Sequence, residues 1–154
     1  MLGPDRITKE ALQVVNEAFL GLLTTVDEEG VPCSRWMGSA VIGNNLASVY
    51  TLTPSGTRKL THLLHNDNVS WVFSAPEFSD VVTLTGKARV LRSPMVAQQV
   101  WDRLMECVRL YCMSALSDDT NLELVTIEVQ VRRIELVSPR LHLYQAVAVE
   151  LAQA

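Results

Sequence analysis

No stretch of this sequence stays apolar over the roughly 20 residues that a membrane-spanning helix needs. The early charges Asp5, Arg6, Lys9 and Glu10 leave no room for the hydrophobic region of a signal peptide. Both absences point to a cytoplasmic protein with no membrane association. A positive excess is also missing. Lysine and arginine number 13 against 17 acidic residues, for a net charge of −4. A general nucleic-acid surface is therefore not expected, and a basic site would have to be a small pocket. Cysteine is scarce: Cys33, Cys107 and Cys112 are odd in number and lack C-x-x-C spacing, as reduced thiols do. His62 and His65 share a helix at i, i+3 without a third ligand at metal-site spacing, and His142 stands far off, so no metal site is expected. No Ser/His/Asp arrangement is visible, and no side chain is named as catalytic. Repeats, low-complexity tracts and linkers are absent, which leaves one domain over residues 1–154.

What is present is enough for a core. Apolar residues make up 48% of the 154 residues and charged residues 19%, which disfavours disorder. A chain of this length buries about 70% of the surface its unfolded form exposes. Periodicity predicts a helix over 8–20, capped by Thr8, and a hairpin of strands 21–27 and 31–42 about the turn Asp27-Glu-Glu-Gly30. A third strand follows over 46–52. A short helix spans 57–65, with Leu60, Leu63 and Leu64 inward. Strands at 69–75 and 80–91 come next, and Gly86 in mid-strand predicts a bend or the close approach of another group. Ser93-Pro94 starts a helix that runs to about 108, and 110–120 has room for a further helical turn. The strand over 122–137 alternates through Val125, Ile127, Val129 and Val131. It then changes phase at Ile134 and Leu136, which predicts a bulge. Residues 140–152 alternate like a strand that pairs at an edge or with another subunit. This order predicts a mainly β, α+β fold: a six-stranded antiparallel barrel, closed or partly closed, over about 20–137, with a C-terminal extension over 138–154.

One segment carries more chemistry than the rest. Val49-Tyr-Thr-Leu-Thr-Pro-Ser-Gly-Thr-Arg-Lys-Leu60 runs from a strand through a tight turn into a helix. The start of a helix offers unsatisfied N–H groups and the positive end of a dipole. Thr53, Ser55 and Thr57 add hydroxyl donors there, and Arg58 and Lys59 add charge. A polar strand-to-helix turn of this composition is a candidate seat for a phosphate. Cations on the strand 80–91, Lys87 and Arg89, are read as solvent- or interface-facing.

Several pieces in order now show a resemblance. Gly21-Leu-Leu-Thr-Thr-Val-Asp-Glu-Glu-Gly-Val-Pro32, Arg35-Trp-Met37, Tyr50-Thr-Leu-Thr53 with Thr57-Arg-Lys59, Asn68-Val69, Thr83-Leu-Thr-Gly-Lys-Ala88 and Trp101 follow one another. Over roughly 8–137 the chain resembles the flavin-binding split-barrel family related to pyridoxamine 5′-phosphate oxidase, above all its general-stress-protein branch. The resemblance implies a split β-barrel of flavin-binding type and FMN held at a homodimer interface. It also implies redox chemistry on an unknown small molecule, with a stress-response setting. It carries Arg35, Met37, Thr51, Thr53, Ser55, Thr57, Arg58 and Lys59 as cofactor-binding residues. Arg58 and Lys59 would take the phosphate, and Arg35, Thr51 and Thr53 would lie nearer the ring and ribityl chain. Strand alternation puts Met37, not Trp36, on the face of Arg35. The alternatives are a flavin carrier or sensor without turnover, or the same fold holding a deazaflavin or heme. Arg140-Leu-His-Leu-Tyr-Gln145 departs from the substrate-phosphate residues of the oxidase itself, so that activity is not expected. Arg109-Leu-Tyr-Cys-Met113 stands where stress-protein relatives carry an aromatic-proline stretch.

Overall fold

A computed structural model describes residues 2–151. Among the described residues the helices are α1 (Pro4–Ala18), α2 (Arg58–His65), α3 (Pro94–Trp101) and α4 (Glu106–Asp118). The strands are β1 (Leu20–Val26), β2 (Pro32–Gly38), β3 (Ser48–Pro54), β4 (Asn68–Ser74), β5 (Val81–Leu91), β6 (Leu124–Ser138) and β7 (Leu143–Glu150). Six strands form one antiparallel path in the order β2-β1-β4-β5-β6-β3, and β7 pairs with β6 beyond the end of β3. The two ends of the path, β2 and β3, meet at a single antiparallel bridge between Ala40 and Tyr50. Its two backbone bonds are 2.8 and 2.9 Å long. The sheet is thus a curled barrel left split along most of the β2–β3 seam. This is the predicted six-stranded split barrel.

The alternation of each strand explains the core. Leu23, Val49, Trp71, Phe73, Leu84, Ile127 and Val129 face inward and are fully buried. Ile7, Ala11, Val14 and Val15 of α1 join the same cluster. A second cluster lies outside the barrel wall, where Leu52 meets Val100 and Leu104. Long β6 serves both edges, because the predicted change of phase is a bulge. Gly86 pairs with Val131 and Thr85 with Arg133, so Arg132 is the extra residue. At Gly86 a Cβ would sit 2.0 Å from the carbonyl oxygen of Gln130. Only glycine lets the two strands approach this closely, which accounts for its place in mid-strand.

Several boundaries differ from the sequence reading. α1 begins at Pro4 after Gly3, and the Thr8 hydroxyl donates to the carbonyl of Pro4 instead of capping. Proline is favoured at a first helical position, and its signal outranks Thr8. β2 stops at Gly38 and not at 42, since only Ala40 pairs beyond it. The helix predicted over 94–108 breaks after Trp101. Leu104 turns inward to the Leu52 cluster, and the Arg103 guanidinium donates to the carbonyl of Val41 at 2.8 Å. α4 then restarts at Glu106 and runs to Asp118, well beyond the single further turn expected within 110–120. On α2 the inward residue is His62, 4% exposed, whereas Leu64 is 85% exposed. Leu60 and Leu63 pack against the core as read from the sequence. The strand expected over 140–152 is β7; residue 152 lies outside the described residues. No helix of the described residues is long and apolar enough to cross a membrane.

Candidate functional site

The split between β2 and β3 opens into a cleft of about 340 Å³. Arg35 and Met37 of β2, Thr53 of β3 and Lys59 of α2 line one side. Val108, Tyr111 and Cys112 of α4 line the other, with Leu20 and Trp36 at its edge. Gly38 permits this arrangement: a Cβ there would meet Val108 at 2.7 Å, so a side chain would push α4 off the seam. The cleft therefore has a polar, cationic end and an apolar wall.

The cationic end is built by alternation. Arg35 stands opposite Leu23 in the β1–β2 register, and Leu23 is in the core, so Arg35 points the same way. Its Nη1 donates to the Leu23 carbonyl at 3.2 Å and to Thr25 Oγ1 at 2.8 Å. Thr53 follows Thr51 and Val49 on the inner face of β3. Its hydroxyl accepts from Lys59 Nζ at 3.0 Å and lies 3.4 Å from Thr57 Oγ1. Thr57 is the residue before α2, with extended φ and ψ, and its side chain makes no capping bond. The α2 N-terminus thus keeps donors free beside Lys59.

Three cations gather at this end of the cleft without a carboxylate, whereas Lys9, Arg103, Arg109 and Arg132, also without one among the described residues, lie outside it. Lys87 pairs with Asp67, Arg89 with Glu128, Arg92 with Glu123 and Arg140 with Asp80 and Glu10. Among the described residues, Arg35, Arg58 and Lys59 pair with no carboxylate. Burial pushes the pKa of Lys59 down to about 8, the charge of Arg35 adds to the fall, and Cys112 opposes it. Burial also lowers Arg35; Cys33 raises it and the charge of Arg58 lowers it. Burial raises the Cys112 thiol, against the pull of Lys59. Cations that depress one another without a counter-charge favour an anion among them.

The residues named from the sequence are not equally placed. Arg35, Met37, Thr53 and Lys59 line the cleft. Thr57 stands behind Thr53, and Arg58 is exposed at the start of α2, near enough to act on Arg35. Thr51 is fully buried, one inner-face position along β3 from Thr53, and its hydroxyl has no partner. Ser55 is engaged elsewhere: its N–H donates to the Glu123 carbonyl at 2.7 Å and its hydroxyl accepts from the Glu123 N–H at 3.0 Å. Thr25, His62, Tyr111 and Cys112 escaped the sequence reading. A second cavity, about 370 Å³ between α3 and β3, β5 and β6, is a weaker candidate. Its two lining charges, Arg92 and Glu123, neutralise each other at 2.8 Å.

The fold and this cleft define a flavin-binding type of split barrel. A family model described as Pyridoxamine 5′-phosphate oxidase matches residues 7–138, and the chain belongs to that family. Among solved structures it is similar to a Clostridium acetobutylicum protein related to general stress protein 26 of B. subtilis. That match has 14% identity, 97% of each chain covered and a TM-score of 0.74. It is similar to a pyridoxamine 5′-phosphate oxidase-related, FMN binding protein from Nostoc punctiforme at 13% identity, covering 99% of this chain and 98% of that one, TM-score 0.66. A heme binding protein from Mycobacterium smegmatis matches at 16% identity and TM-score 0.69; the likeness covers 97% of this chain and 60% of that one. At these identities the likenesses show the shared fold. No curated protein matches the chain.

The residues present fit FMN. A phosphate dianion needs clustered donors, and Arg35, Arg58 and Lys59 are free of carboxylates. A flat ring needs apolar walls, and Leu20, Met37, Val108 and Tyr111 supply them.

Proposed function

We propose that this chain is an FMN-binding flavoprotein, and that it works as an FMN-dependent oxidoreductase on a small molecule. The observation that carries the reading is the carboxylate-free trio of Arg35, Arg58 and Lys59 at one end of an otherwise apolar cleft. Lys59, with its pKa near 8, gains most from a dianion, which returns its ammonium to a favourable field. Arg58 reaches the same phosphate from the rim, and Thr57 and the free N–H groups of α2 complete the donor set. Arg35 spends only Nη1 on Leu23 and Thr25, so its remaining N–H groups are available to the cleft. Met37 and Tyr111 would bracket the ring. When bound, FMN supplies hydride transfer at its ring, and no side chain need act as acid or base.

The protein is proposed to act as a homodimer with the cofactor at the interface. Trp36 and Tyr111, each 65% exposed, stand together at the cleft mouth, and Leu110 and Met113 of α4 are exposed as well. Exposed apolar surface of this kind beside a site favours burial against a partner.

The same fold serves a heme binding protein, but the histidines here do not favour that ligand. His62 is tied to Thr25, His65 lies near Glu28, and His142 lies beside Tyr144. Mass spectrometry of the small molecule released from purified protein tests the cofactor. FMN is the expected species; a deazaflavin or heme in its place would overturn the reading. Anaerobic reduction of the bound flavin by a nicotinamide cofactor, followed by reoxidation, separates an oxidoreductase from a carrier.

A further inference from the structure

We propose that His62 is a positioning residue for the anion site, acting through Thr25 on Arg35. The inference rests on the FMN reading above but concerns two residues that reading does not use. Thr25 is fully buried and His62 is the buried residue of α2. Thr25 Oγ1 lies 2.8 Å from Arg35 Nη1 and 2.8 Å from His62 Nδ1. Arginine can only donate, so the Thr25 oxygen accepts from it. That oxygen has a second lone pair and one proton, and in this relay the proton goes to His62 Nδ1, which accepts it. The relay requires the His62 tautomer with its proton on Nε2.

The chain of bonds has a structural consequence. Arg35 stands on β2, Thr25 on β1 and His62 on α2, one turn after Lys59. The relay ties the helix that presents one cation to the strand that presents the other. It also fixes which N–H groups of Arg35 remain for the cleft. A leucine at 62 would fill the space but leave the buried Thr25 hydroxyl without an acceptor, a loss that buried polar groups do not tolerate well. A rotated Thr25 would then no longer hold Arg35 Nη1.

The test is the ratio of FMN to riboflavin affinity, which reports the phosphate contact and is insensitive to general loosening of the ring site. His62→Leu and Thr25→Val are expected to lower that ratio by about tenfold, the scale of one charge-assisted bond. His62→Asn, whose Oδ1 falls near the place of Nδ1, should restore it. In an Arg35→Ala background, His62→Leu should lower the ratio no further. An unchanged ratio in His62→Leu, or an undiminished fall in the Arg35→Ala background, would overturn the proposal. If the wild type shows no preference for FMN over riboflavin, the FMN reading itself fails. The relay is then judged by the ¹⁵N spectrum of His62 in the wild-type chain. An Nε2–H tautomer whose Nδ1 signal shifts in Thr25→Val upholds the relay, and an Nδ1–H tautomer overturns it.

Discussion

Lys59 donates from Nζ to Thr53 Oγ1 at 3.0 Å, and the two meet where the barrel is left open between β2 and β3. A hydroxyl is a weak partner for an ammonium ion that burial has already disfavoured. Among the described residues no carboxylate helps it. This imbalance is what the proposed phosphate contact would relieve.

Removing the amine should stabilise the empty protein. The folded pKa of Lys59, about 8, lies below the usual lysine value near 10.4. Between those values the unfolded chain binds more protons than the folded one, so this residue's contribution to stability grows as pH rises through the window. Below about pH 8 the full penalty is present. Lys59→Met should therefore raise the melting temperature of the ligand-free protein at pH 7 by a few degrees. The same variant should weaken FMN by about tenfold or more, the worth of a charge-assisted contact. Thermal melts with and without FMN check both halves.

The same residue sets a pH dependence of binding. FMN needs the charged form of Lys59, and binding should raise its pKa above the free value of about 8. Affinity should be nearly level from pH 7 to 8 and fall as pH climbs above 8, with proton uptake on binding. Quenching of FMN fluorescence over this range measures it. In Lys59→Met the fall should vanish.

Gly86→Val should cost the fold itself. Its Cβ would be 2.0 Å from the Gln130 carbonyl oxygen, and that backbone cannot move without disturbing the bulge at Arg132. A loss of roughly 3 kcal/mol or more is expected, visible as a lower urea midpoint or as failure to accumulate folded protein. Gly30→Ala meets no atom within 4 Å and carries only the strain of its positive φ of 83°, so it should cost less.

Trp36→Glu should separate the proposed dimer. The side chain is 65% exposed on the outer face of β2, so the substitution leaves the barrel core alone. Light scattering should report a monomer with unchanged far-ultraviolet dichroism and weakened FMN binding.

The strands were legible because period-two alternation survives even single departures. Val131 followed by Ile134 announced the bulge, and Gly86 announced the close contact that the bulge requires. The turn from Thr53 into α2, with Arg58 and Lys59 in its first turn, was legible because helix-start chemistry is local. α4 was not legible. Leu110, Tyr111 and Met113 lie on its exposed side while Cys112 is buried, so its apolar residues ring the helix and form no stripe. Its start at Met105 has no capping side chain to mark it. His62 was misplaced for a different reason. Its burial is decided by Thr25, 37 residues away in sequence, and no local pattern encodes that pairing. Ser55 belonged to the right turn, but its hydroxyl is taken by the backbone of Glu123, beside it where β6 pairs with β3, again a contact made by topology.

The most direct test of the phosphate seat is a paired titration of FMN and riboflavin against the wild type and the Arg58→Ala, Lys59→Ala double variant. The wild type should bind FMN well above riboflavin. The double variant should fold, remain colourless, bind FMN far more weakly than the wild type, and bind riboflavin about as weakly as the wild type does. A double variant that holds FMN at wild-type affinity would contradict the account and leave residues 53–59 as a polar turn.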